Sequence, residues 1–107
     1  MSAIPARIVE LAKQRDPFCV RCGRVASHTH HRMMRSQAPK NAVHRIENVI
    51  RLCHECHGWV HAHPAESYER GWLVRSWSTP LEEPVTYPGG GLFFLSGRGT
   101  RIESKEQ

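Results

Sequence analysis

Cys19-Val20-Arg21-Cys22-Gly23 and, thirty residues further on, Leu52-Cys53-His54-Glu55-Cys56-His57 decide how this chain is read. Each stretch holds a Cys-x-x-Cys pair, the spacing at which two thiolates can turn toward one tetrahedral zinc. Gly23 supplies the permissive backbone that such a knuckle needs. The interval between the pairs is longer than in a plain zinc ribbon, so the insertion must carry something of its own. A chain of 107 residues forms one domain with a modest core, and a metal staple would make up the shortfall. Met1 to Glu10 has no continuous apolar stretch or cleavage signal, and no segment approaches the roughly 18 apolar residues that span a bilayer. The expectation is a soluble cytoplasmic protein with no membrane partner. Thiols in a reducing compartment rarely persist as disulfides, so Cys19, Cys22, Cys53 and Cys56 are expected to bind a structural Zn2+.

Outward from the cysteines, Pro5 can start a helix whose apolar stripe is Ile8, Val9, Leu11 and Ala12 and which Asp16-Pro17 ends. Ser27 to Met33 reads as a strand. A polar loop from Met34 to His44 follows, then a second strand over Val49 to Leu52 that makes a hairpin with the first. Cys53 to Ala62 has no breaker before Pro64 and suits a helix. Pro64 to Arg70 reads as another short helix, capped by Gly71, with a strand over Trp72 to Trp77. Pro80, Pro84, Pro88 and Gly89-Gly90-Gly91 punctuate Val85-Thr86-Tyr87 and Leu92-Phe93-Phe94-Leu95, which form either a hairpin or a loosely attached arm. Glu103 to Gln107 reads as a frayed tail. The whole is a single domain, 1–107, with its motif core at 19–61 and the hairpin or arm and tail within 78–107.

His30, His31, Asn48, His57 and His61 lie within and just after the insertion. Residues four apart share a helix face, so His57 and His61 can hold one ion, and a facing strand can offer His30 as a third ligand. His31 alternates to another direction, beside the metal and suited to act as a general base near neutral pH. His28, His44, His54 and His63 are read as ordinary surface or packed side chains. The chain carries +5 overall, but Met1 to Cys53 holds ten Lys and Arg against three acids, a balance of +7, which leaves −2 for the rest. A basic half favours a polyanion through counterion release, yet a solvated charged face has the same composition. Arg32, Arg35, Lys40 and Arg51 are the candidates for phosphate contacts.

In that order, Cys-x-x-Cys, His-His, Asn and Leu-Cys-x-x-Cys-His resemble the HNH endonuclease motif with its embedded zinc site, over Cys19 to His61. His57-Gly58-Trp59-Val60 and the run from Ala65 to Val74 also resemble the small HNH proteins of actinobacterial phages. The resemblance implies an α+β fold: a zinc-stapled ββα-metal (HNH, His-Me finger) domain flanked by an N-terminal helix and C-terminal strands. It implies hydrolysis of DNA phosphodiester bonds, by nicking or double-strand cleavage, leaving 5′ phosphates. His31 becomes the base, His30 and His57 ligands of the catalytic divalent metal, and Asn48 the residue that steadies the loop orienting His31. At His61 many members have lysine or another residue, but it matches the all-histidine site of colicin-type DNases. Three imidazoles favour Zn2+, Ni2+, Co2+ or Mn2+ over Mg2+, which the family also accepts. The partners implied are DNA and, through phage DNA processing or packaging in the host cytoplasm, terminase and portal proteins. The rival from another class is a noncatalytic zinc-stapled DNA-binding module whose histidines are incidental.

Overall fold

The computed structural model describes residues 3–104. Helix α1 (Ala6–Arg15) starts where Pro5 has its ring-set φ of −56°, and the Pro5 carbonyl accepts from the amides of Ile8 and Val9. It buries Ile8 and Ala12 against Ile46 and Val49, a small cluster of its own. Strands β1 (His28–His31) and β2 (Val49–Leu52) pair antiparallel, with His30 opposite Ile50 and His31 opposite Val49. Every residue of β2 is buried, because α1 and α2 both pack against it. Helix α2 (His54–Ala62) follows at once, and the Cys53 sulfur accepts from the Cys56 amide at its N-terminus. Strand, strand and helix thus come in the anticipated order, joined ahead of β2 by a single 3-10 turn at Ile46–Asn48.

Helix α3 (Pro64–Glu69) stops before Gly71, whose φ of +78° only glycine adopts without strain. A Cβ there would also stand 2.0 Å from the Pro84 carbonyl oxygen, so two chain segments meet at this point.

The expected strand over Trp72 to Trp77 does not form. The amides of Trp72 and Leu73 both donate to the Ser67 carbonyl, and that of Val74 to Arg32, so the groups a ladder would use are already taken. Trp72, Leu73 and Val74 are consecutive and all buried, which an alternating strand with one wet face cannot do. They plug the core while Trp77 stays exposed.

Beyond a 3-10 turn at Pro80–Glu82, strands β3 (Val85–Thr86), β4 (Leu92–Leu95) and β5 (Arg101–Glu103) form a second antiparallel sheet in that order. It is no loose arm. Val85, Tyr87 and Leu95 enter the main core beside Val20, Ile50, Leu52, Val60 and Leu73. The Tyr87 hydroxyl donates to Asp16 Oδ1 at 2.6 Å, tying the sheet to the end of α1. Glu103, read from sequence as the start of a frayed tail, is instead in β5 opposite Phe93; the rest of that stretch beyond Ser104 lies outside the described residues. The molecule is therefore a small α+β protein with two antiparallel sheets, and among its described residues no helix is long and apolar enough to cross a membrane.

Candidate metal centres and the histidine cleft

The two Cys-x-x-Cys pairs meet at the joint between the first knuckle and the start of α2, where the four sulfurs lie within 4.8 Å of one another. Four Zn–S bonds of about 2.3 Å would hold neighbouring sulfurs about 3.8 Å apart in a tetrahedron. Cys22 and Cys53 Sγ are 3.7 Å apart. Each knuckle aims a backbone amide at a sulfur, Cys22 N at Cys19 Sγ (3.5 Å) and Cys56 N at Cys53 Sγ (3.4 Å). Arg21 lays its guanidinium on the Trp59 ring, 3.6 Å from the centroid, and reaches Cys56 Sγ at 3.3 Å. These donors stabilise thiolates. Burial by itself raises Cys19, but the amides of Cys53, Cys22 and Arg21 bring it down to about 7. Burial pushes Cys56 up to about 12, against the pull of Arg21. A cation bound among the four sulfurs would favour the thiolate form of all of them, and the cluster suits one structural metal ion such as zinc.

Roughly one turn along α2 lies a second group. His57 and His61 are four apart, and His30 of β1 faces them because α2 packs across the hairpin. Ring centroids are 5.2 Å apart for His30–His57 and His57–His61 and 5.3 Å for His30–His61, and one nitrogen from each lies within 4.8 Å of the others. Such a near-equilateral triangle of imidazoles can hold a divalent cation. The ring of His30 is buried with Nε2 2.9 Å from the Trp72 carbonyl, so Nε2 carries the hydrogen and donates it, and the lone pair is left at Nδ1. Burial, with His57, His61 and His31 nearby, lowers His30 to about 3, and burial followed by His61 lowers His57. Both rings stay neutral, the form that ligates.

His31, the next residue of β1, lines an open cleft of about 1040 Å³ together with the three histidines. Its Nε2 is 3.1 Å from His44 Nδ1. Burial, then the charges of Arg35 and His44, lowers it to about 4, so it is a neutral acceptor at pH 7. Asn48 is buried behind it. The carboxamide oxygen accepts from the Met33 amide at 2.8 Å, and the nitrogen donates to the carbonyls of Met33 (3.2 Å) and Val43 (3.0 Å). It thereby pins both ends of the 33–44 loop, which carries His44 and the cleft-lining Arg35 and Lys40.

Two of the four cations expected at a phosphate backbone are committed elsewhere. Arg32 is fully buried and donates to the carbonyls of Gly71 (2.8 Å), Glu47 (2.9 Å), Pro80 (3.0 Å) and Glu83 (2.6 Å), so it joins β1 to the segments that close the core. Arg51 is buried on β2, bonded to Thr29 Oγ1 at 2.9 Å and the Ala26 carbonyl at 3.4 Å. Neither can grip DNA from there; in both, the count of positive charges concealed an internal tie. Lys40 is exposed and Arg35 half-exposed at the cleft.

Sequence reasoning passed over two side chains of the site, His28 and His44. His28 Nδ1 lies 2.8 Å from His57 Nδ1. The signal was present for His28, since it stands two residues before His30 and a strand puts both on one face. For His44 there was none, because it comes from an irregular loop. Comparison of the chain with family models, curated proteins and solved structures gives no match.

Proposed function

We propose that this chain is a metal-dependent HNH endonuclease of the ββα-metal type that hydrolyses DNA phosphodiester bonds. One observation carries the reading: three imidazoles able to hold a cation and a fourth, His31, outside that set share one cleft with Arg35 and Lys40. His30, His57 and His61 would hold a divalent metal, Zn2+, Ni2+, Co2+ or Mn2+ ahead of Mg2+ by donor type. A metal held there would supply Lewis-acid polarisation of the scissile phosphate and offset charge on the leaving 3′ oxygen. His31 takes the proton of the attacking water on the ring nitrogen it does not share with His44. Asn48 keeps the loop, and through His44 the His31 ring, in one orientation. Arg35 and Lys40 draw the phosphate backbone into the cleft. Products carry 5′ phosphates. The resemblance to phage HNH proteins extends the reading to nicking in phage DNA processing or packaging in the host cytoplasm, beside terminase and portal proteins.

Supercoiled plasmid incubated with the zinc-loaded chain and a series of Mg2+, Mn2+, Co2+, Ni2+ and Zn2+ tests this. Relaxation that depends on the added metal is the expected result. DNA retention without relaxation under every metal would replace the enzyme with the noncatalytic zinc-stapled binding module.

A further inference from the structure

His28 ends with its Nδ1 2.8 Å from Nδ1 of His57, a hydrogen bond between two rings. One of the two nitrogens must carry the hydrogen and the other the lone pair. If His57 donates, its Nε2 is left bare; if His28 donates, Nε2 of His57 bears a hydrogen and cannot ligate. The bond therefore selects between a ring that can hold a cation and one that cannot. The surroundings also fix the His28 ring. It is half-buried, edge-on to His57 at 5.1 Å and edge-on to His54 at 5.3 Å, between the first two turns of α2 and the strand. His30 is treated in parallel, its Nε2–H engaged by the Trp72 carbonyl. Ligating imidazoles usually have their second nitrogen held by such an acceptor, which fixes tautomer and ring direction and raises donor strength.

We infer that His28 is a positioning residue for the histidine metal site: its Nδ1 accepts the Nδ1 hydrogen of His57 and so presents the Nε2 lone pair of His57 to the cation. The inference rests on the reading of His30, His57 and His61 as ligands. It adds a side chain outside that set and predicts what the set loses without it.

The test uses the zinc-loaded full chain titrated with Co2+, read by calorimetry and by the visible absorption of the bound cobalt, with zinc content and melting temperature measured alongside. Two variants are compared. His28→Leu fills the space without an acceptor, and His28→Asn restores one, since its carboxamide oxygen can take the His57 hydrogen. Loss of an outer partner of this kind typically weakens metal binding by about 10- to 100-fold. His28→Leu should therefore bind Co2+ that much more weakly at unchanged zinc content, and His28→Asn should recover most of the affinity and the wild-type spectrum. Equal affinity in His28→Leu and wild type would overturn the inference alone. So would a His28→Asn as weak as His28→Leu, which would make the ring mere packing. A wild-type chain that binds no cobalt beyond its zinc would overturn the ligand reading together with the inference. Cobalt binding that follows the expected pattern without plasmid relaxation would leave His28 in its role and remove the nuclease reading.

Discussion

His30 and His31 are chemically identical neighbours separated by the pleat of one strand. His30 is buried, 2 % exposed, its second nitrogen engaged by a carbonyl; His31 is half-buried at the cleft with its Nε2 beside the His44 imidazole. Ligation suits the first and proton acceptance the second. His31→Ala is accordingly expected to fold and to hold Co2+ and DNA as the wild type does. Its plasmid relaxation should fall at least about 100-fold, the lower end of what a general base supplies. Wild-type relaxation by His31→Ala under saturating metal would remove His31 from that role. His61 is the most exposed of the three candidate ligands, and its loss would leave two. His61→Ala should weaken Co2+ binding in a titration while zinc content stays at one per chain, and unchanged affinity would make His61 a neighbour rather than a ligand.

The β1–β2 hairpin and α2 place these side chains, but neither element holds the loop between the strands. Asn48 does so through three hydrogen bonds from a buried position at the end of the 3-10 turn that precedes β2. Replacing it with alanine leaves the Met33 amide and the carbonyls of Met33 and Val43 without their partner, at a cost of about 1–3 kcal/mol for each group that stays buried and unsatisfied. Asn48→Ala should therefore melt several degrees below the wild type and relax plasmid more slowly, because His44 and His31 lose their fixed relation. The three histidines are carried by β1 and α2 and not by this loop, so Co2+ affinity should hold. A variant as stable and as active as the wild type would show that the loop is held by other means.

For the whole molecule the cysteine cluster matters most, since it joins the first knuckle, the end of β2 and the start of α2 inside the main core. Cys19→Ser should lose the metal and melt far below the wild type, and wild-type protein washed with a strong chelator should follow it. A variant that keeps its melting temperature and zinc would contradict the staple. Acid should act in the same direction. Burial holds His30 near 3 and His31 near 4, both below the ordinary 6.5, so the unfolded chain binds protons that the folded chain refuses. That stability is complete above about pH 6.5 and is lost as pH falls toward 4 and then 3. Protonation of the thiolates works alongside it. Urea midpoints measured between pH 7 and 4 should fall steadily, and a flat profile would mean that neither histidine is buried neutral.

Much of this was written in local sequence, because local physics decides it. Pro5, Asp16-Pro17 and Pro64 bound the helices, a spacing of four puts His57 beside His61, a spacing of two cysteines makes each knuckle, and alternation separates His30 from His31. What the local pattern could not decide was which neighbours each side chain would meet. Arg32 and Arg51 read as surface cations until tertiary packing enclosed them among carbonyls. Trp72 to Val74 had strand composition, but Ser67 and Arg32 had already taken their amides. β5 lacks an apolar run and exists because β4 offers it an edge. His28 has only its place two residues before His30 and His44 only its residue type, and their partners lie 29 and 13 residues away in the chain. Hydrogen-bond partners across such separations follow from how the elements pack, and only the folded chain brings them within 3 Å or so of each other.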